Sequence, residues 1–109
     1  MDERTYLDHA HATLRTLLDA FDAVDIEDAD AESSGDVVTI LWRSGTKCIV
    51  NTQRPARQLW LAGGDRAWHF SWDAGTSSWL DDKGTGAELL GTVADIARQQ
   101  AGIELRFVR

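Results

Sequence analysis

VVTILWRSGTKCIVNTQRPARQLWLAGGDRAWHFSWDAGTSSWLD, residues 37–81, is a series of short β-prone runs broken by turn residues. Five strands are read from it: Val37 to Arg43, Lys47 to Asn51, Gln58 to Ala62, Ala67 to Trp72, and Ser78 to Asp81. Ser44-Gly45, Gly63-Gly64 and Asp73-Ala74-Gly75 separate them, and the chain's one proline, Pro55, stands in another short connection. Connections this short join antiparallel neighbours, because a parallel pair needs a crossover of about a dozen residues. The expectation is an antiparallel meander with one face on a core.

Outward on the N-terminal side, Asp28-Ala29-Asp30-Ala31-Glu32 alternates strictly. As a strand it puts three carboxylates on one face and two small residues on the other, and it reads as the sheet's edge. Before it, Leu7, Ala10, Leu14, Leu17, Leu18, Phe21 and Val24 recur at spacings of three and four, the mark of an amphipathic helix reaching about residue 23. On the C-terminal side, Thr85-Gly86-Ala87-Glu88 has the pattern of a capping box. Leu89, Leu90, Val93, Ile96 and Ala97 then form one apolar stripe, and Gly102 ends the helix. Helix, strands, helix predicts one α+β domain over residues 1–109, a two-layer sandwich with both helices packed on one face of an antiparallel sheet.

The 109 residues are 43% hydrophobic, which suits a single enclosed core and excludes a disordered chain. The net charge of -7 is not evenly spread. Residues 1–36 hold eleven carboxylates against Arg4 and Arg15, a net -9 that leaves the rest of the chain at +2. Such a localised field repels phosphate backbones and anionic membrane surfaces, so neither nucleic acid nor membrane is an expected partner. Basic proteins and cations suit it better. Met1-Asp2-Glu3-Arg4 lacks the basic flank and apolar run of a signal peptide, and Val37 to Trp42 is too short an apolar run to span a bilayer. With a single cysteine, Cys48, a cytoplasmic location is expected.

Catalytic motifs are missing: there is no Gly-x-Ser-x-Gly, no His-Glu-x-x-His and no phosphate loop. Cys48 shares its strand side with Val50 and reads as a small buried hydrophobe. His9 and His11 are two apart on a helix and cannot chelate one ion together. His69, between Trp68 and Phe70, is expected to face water from the sheet. The strongest chemical signal is acidic: Asp19 and Asp22 close the first helix, Asp25 and Glu27 fill the connection, and Asp28, Asp30 and Glu32 line the edge strand. An EF-hand does not fit, since Ser33 and Thr39 fall where its glycine and final glutamate belong. Exposed oxygen ligands suit hard cations bound weakly, and composition alone leaves a solvated face equally open. Relief of like-charge repulsion is expected when Asp28 or Asp30 becomes an amide. A second signal is Trp60: if Leu59 and Leu61 are core, Gln58 and Trp60 face outward and the indole is a candidate binding anchor.

The stretch Asn51-Thr52-Gln53-Arg54-Pro55-Ala56-Arg57-Gln58-Leu59-Trp60-Leu61 resembles the signature Asn-x-Gln-x-Pro-x-x-Gln-x-Trp-Leu of the frataxin family. The resemblance runs the length of the chain, through the acidic first helix, Gly35 to Ile40, Trp68-His69-Phe70, Trp79, Glu88-Leu89-Leu90 and Gln100-Ala101-Gly102, and points to the bacterial branch. It implies an α-β-sheet-α sandwich and weak iron binding, ferrous or ferric, on an acidic ridge of Asp19, Asp22, Asp25, Glu27, Asp28 and Asp30, where other hard divalent cations compete. It also implies partner contacts through Asn51, Gln53, Gln58, Trp60 and His69. The function it implies is a non-enzymatic regulator of iron-sulfur cluster assembly, a monomer without metal, that docks on the cysteine desulfurase and meets the scaffold protein. The alternative is an iron donor or a ferroxidase-like store that oligomerises with iron. Storage chemistry wants a fixed ligand set, and the Glu-x-x-His helix pairs of di-iron bundles are missing from this sequence.

Overall fold

The computed structural model describes residues 1–108. Helix α1 spans Glu3–Ala20 and is followed by a single 3-10 turn, Phe21–Ala23. Six strands follow, β1 Ala29–Ser34, β2 Val37–Trp42, β3 Lys47–Gln53, β4 Gln58–Gly63, β5 Arg66–Asp73 and β6 Ser78–Asp81, and then helix α2, Leu89–Ala101. The strands form one antiparallel sheet in sequence order, as the short connections require. Several ladders run further than the sequence patterns marked, because pairing continues into the turn: Ser34 opposes Val37, Gln53 opposes Gln58, and Gly63 opposes Arg66.

Alternation along the strands sends Ala29, Val38, Ile40, Trp42, Cys48, Val50, Leu59, Leu61 and Phe70 to one face, where all are buried. Both helices cover that face. From α1 come Tyr6, Ala10, Leu14 and Leu17, with Phe21 from the turn beyond it, and from α2 come Leu89, Leu90, Val93 and Ala97. Tyr6, not Leu7, is therefore the innermost residue of the first turns. Its hydroxyl donates to the Gln58 carbonyl at 2.6 Å and accepts from the Gln53 N–H at 3.1 Å, so it fastens α1 to the β3–β4 end of the sheet. Cys48 is buried as expected, and its sulfur accepts from the Trp42 indole N–H at 3.2 Å. Among the described residues no buried side-chain nitrogen or oxygen is left without a hydrogen-bond partner.

The helix ends show where patterning misleads. Asp2 caps α1 by accepting from the Thr5 N–H at 2.7 Å. The last turn carries no basic residue, and the helix tightens to 3-10 before Val24 turns extended. At α2 the expected Thr85 cap is not used. Glu88 is itself the N-cap, accepting from the Leu90 and Gly91 N–H groups at 2.7 and 3.2 Å. The reason lies outside the helix, in the preceding strand: a bridge to Leu80 holds Glu88 extended, while Asp81 takes the Thr85 hydroxyl at 2.6 Å. Gly102 closes α2 at φ 64, the left-handed conformation a glycine adopts without penalty.

Candidate functional site

The carboxylates singled out in the sequence gather at the end of α1 and along the edge strand it leads into. Asp19, Asp22, Asp25 and Glu27 are exposed, and Asp28 and Asp30 are half-buried. They are not equivalent. Asp25 turns its carboxylate onto the Glu27 N–H at 2.9 Å, fixing the connection, and Asp19 lies 3.6 Å from the Arg15 guanidinium one helical turn back. Asp28 is paired with Arg43, whose own backbone N–H donates to the Asp28 carbonyl at 2.8 Å. This corrects the expectation that amidation of Asp28 relieves repulsion, because its charge is already answered across the end of the β1–β2 pair. Asp30 has no ion pair among the described residues, and the strand register sets it beside Leu41 on the outer face.

No cluster of three or more histidine, cysteine or carboxylate side chains among the described residues converges to hold a metal. The ridge is a run of separate carboxylates on a helix, a loop and a strand. Its donors are hard oxygens, suited to weak, multi-site association with hard cations and not to a caged ion.

The second group of residues lies on the sheet face opposite the helices. Cross-strand partners share a face, so the row Ser34, Val37, Asn51, Trp60, His69 runs straight across it. Trp60 is half-buried, because the His69 imidazole stacks on it at 4.2 Å between ring centres with 18° between planes. Its indole N–H donates to Gln58 Oε1 at 2.9 Å. Gln58 Nε2 donates in turn to Ser71 Oγ at 3.1 Å and to Asp82 Oδ2 at 3.0 Å. Asn51 donates its side-chain N–H to the Thr52 carbonyl, and Gln53 lies at the Tyr6 end of the same strand. Val37, Leu41 and Ile49 are the exposed large aliphatic residues of this face.

One cluster was invisible to sequence patterning. Asp36, at the β1–β2 turn, accepts from His11 Nε2 at 2.9 Å, from Thr52 Oγ1 at 3.3 Å and from Arg54 at 3.3 Å. Burial pushes its carboxyl up, but the bonds from Arg54 and His11, the charge of His11 and the Thr52 hydroxyl together hold it below the usual carboxylate range. The only linear cue was a carboxylate next to a turn glycine. His9 is likewise occupied, stacked on Trp72 at 3.9 Å. A cleft of about 360 Å³ bordered by Cys48, Gly63, Trp68, Ile96 and Gln99 opens beside α2. It lies on the helix side of the sheet, away from Trp60, and burial pushes the Cys48 thiol up, against nucleophilic use.

Among the described residues no helix is long and apolar enough to cross a membrane. Comparison with known proteins places this arrangement. The solved frataxin of Psychromonas ingrahamii, from the CyaY protein family, superimposes with a TM-score of 0.88 over the whole of both chains, at 24% identity. Trimeric frataxin from Saccharomyces cerevisiae, in a ferrous complex, aligns with a TM-score of 0.63 over 94% of this chain and 88% of that one, also at 24% identity. Those two likenesses carry the fold. In sequence, the iron-sulfur cluster assembly protein CyaY of Pseudomonas fluorescens is 39% identical over 108 residues, 98% of this chain and 96% of that protein. The family model for the frataxin-like domain matches residues 1–103, and with nearly the whole chain accounted for on both counts, the chain belongs to the frataxin family.

Proposed function

We propose that the protein is an iron-binding regulator of iron-sulfur cluster assembly that docks on the cysteine desulfurase through the acidic ridge and meets the scaffold protein through the face around Trp60. The observation that carries this reading is the state of the ridge. Its carboxylates follow the end of α1 and the β1 edge, mostly exposed, and no three converge on one point. Such a surface attracts a basic protein patch and hard cations alike, so iron occupancy and partner docking draw on the same charges. Iron here is a weakly held cargo or effector, not a resident cofactor. The name of the Pseudomonas relative and the ferrous complex of the yeast protein point the same way. A ferroxidase-like store is the less favoured reading, since oxidation in place asks for a fixed ligand set.

Desulfurase turnover measured with this protein, with and without ferrous iron and scaffold, tests the proposal directly. Turnover is expected to respond to the protein and to depend on iron. Neutralising Asp19 and Asp22 should slow association with immobilised desulfurase and flatten its salt dependence, because charge steers encounter. Trp60→Ala should speed dissociation of the assembled complex, at a cost of about 2 kcal/mol for an aromatic anchor. Binding that ignores salt would remove the ridge from the interface, and unchanged turnover in every condition would overturn the regulatory role.

A further inference from the structure

Asp82 follows β6 and is not part of the signature stretch, yet both the hydrogen bond and the ring stack of the Trp60 indole lead back to it. Its Oδ2 accepts from Gln58 Nε2 at 3.0 Å and stands 3.9 Å from His69 Nδ1. Its backbone N–H donates to the His69 carbonyl at 2.8 Å, which sets its side chain over the β4–β5 pair. Gln58 and His69 are in turn the two residues that hold the indole, one by its N–H and one by its face.

The chemistry of Gln58 explains why a carboxylate matters here. A primary amide has a donor end and an acceptor end, and the indole N–H accepts nothing, so Trp60 is satisfied only when Oε1 points at it. The Ser71 hydroxyl on the other side of Gln58 can donate or accept, and so selects neither orientation. An ionised carboxylate only accepts, so Asp82 draws the NH2 end to itself and turns Oε1 toward Trp60.

We infer that Asp82 is a positioning residue for Trp60, locking the Gln58 amide and backing the His69 stack so that the indole is held in one pose before any partner arrives. The inference rests on the proposed role of Trp60 in partner contact. It also narrows that role: with its N–H committed to Gln58, the indole meets its partner through ring face and carbocyclic edge. That suits an aliphatic or guanidinium group rather than a hydrogen-bond acceptor. Preorganisation lowers the entropy lost on binding, which for one side chain is about three- to tenfold in affinity.

The experiment has two arms. In the free protein, 15N relaxation of the Trp60 indole is compared in the parent, Asp82→Ala and Asp82→Asn, with the resonance assigned by its loss in Trp60→Phe. The alanine variant should drop the order parameter toward the flexible range below about 0.6. The asparagine variant, whose amide can donate as well as accept and so no longer dictates the Gln58 orientation, should recover only part of the rigidity. In the second arm, dissociation from the desulfurase–scaffold assembly is measured in a double-mutant cycle of Asp82→Ala and Trp60→Ala. Asp82→Ala should weaken binding about three- to tenfold when Trp60 is present and have no effect when it is absent. An indole that stays rigid in Asp82→Ala overturns the inference, as does an equal loss in the Trp60→Ala background. If the indole loosens but neither substitution alters binding, positioning stands and the partner role of Trp60 fails.

Discussion

Asp28 and Asp30 sit two residues apart in one acidic segment, yet removing their charges is expected to move stability in opposite directions. Asp28 is ion-paired with Arg43; the two side chains are 23% and 63% exposed, so solvent screens the pair strongly. Pairs of this kind contribute about 0.5 kcal/mol, and Asp28→Asn gives that up. Asp30 has no ion pair among the described residues and points to the same side as Glu32, at ~6.6 Å for two strand residues. Two like charges at that spacing in water repel by about 0.6 kcal/mol. A screening length of ~10 Å at 0.1 M salt reduces this to about 0.3 kcal/mol. Unfolding entropy of roughly 2.1 cal/mol/K per residue gives a chain of this size about 0.23 kcal/mol/K, so half a kilocalorie is about 2 °C in Tm. Asp28→Asn should therefore melt about 2 °C lower, and Asp30→Asn about 1–3 °C higher, with the gain shrinking as salt is added. Circular dichroism melts at low and moderate salt read both. A common sign for the two variants, or a salt-independent gain for Asp30→Asn, would refute the division of the ridge into structural and free charges.

Three further outcomes follow from groups outside the ridge. Because burial holds the Cys48 thiol above its ordinary value of 9.0, the unfolded chain loses that proton first. Stability should then fall as pH rises past about 9, and Cys48→Val should remove that part of the decline in alkaline urea titrations. Asp81, bonded by the Thr85 hydroxyl and the Lys83 N–H, and Asp36 both lie below the ordinary 3.8. Their contributions are present above that value and are lost as pH falls through the lower folded values, so Asp36→Asn and Asp81→Asn should flatten the acid limb of stability against pH. At Gly63 an added Cβ would stand 2.8 Å from the buried Cys48 sulfur. Gly63→Ala is expected to cost about 1–3 kcal/mol by chemical denaturation, and Cys48→Ala should recover part of it; a neutral Gly63→Ala would show that the hairpin end shifts freely.

The sheet was legible because its information is local. Leu59 and Leu61 alternate with Gln58 and Trp60, and that period of two decides which face each side chain takes. The helix stripes and the glycine that ends α2 were legible for the same reason. What patterning missed depends on residues far apart in sequence. Tyr6 outranks Leu7 as a core residue because its hydroxyl reaches the backbone at Gln53 and Gln58. Glu88 displaces Thr85 as the helix cap because a bridge to Leu80 has already extended it. The acidic ridge could be counted from the sequence, but not sorted, since the Arg43 partner of Asp28 lies beyond a hairpin.

The outer face raises a geometric constraint on how the two candidate surfaces work together. Asp30 and Glu32 share their side of the sheet with Trp60, through the register that pairs Ser34 with Val37, Val37 with Asn51, and Asn51 with Trp60. Asp19 and Asp22 belong instead to the end of α1 and the turn after it, in the layer on the other side. The acidic run therefore wraps the β1 edge, and only its strand portion is on the Trp60 side. A single flat partner cannot cover Asp19, Asp22 and Trp60 together. Under the proposed docking, either one partner straddles the edge, or two partners divide the surface, one at the helix end and one on the sheet. In the second case, charge reversal at Asp22 and Trp60→Ala impair different binary complexes, while Asp30, which lies between the two surfaces, influences both. Binary titrations of each variant against desulfurase alone and scaffold alone distinguish these arrangements. A loss confined to one partner for both Asp22 and Trp60 variants would require a single body reaching around the edge strand.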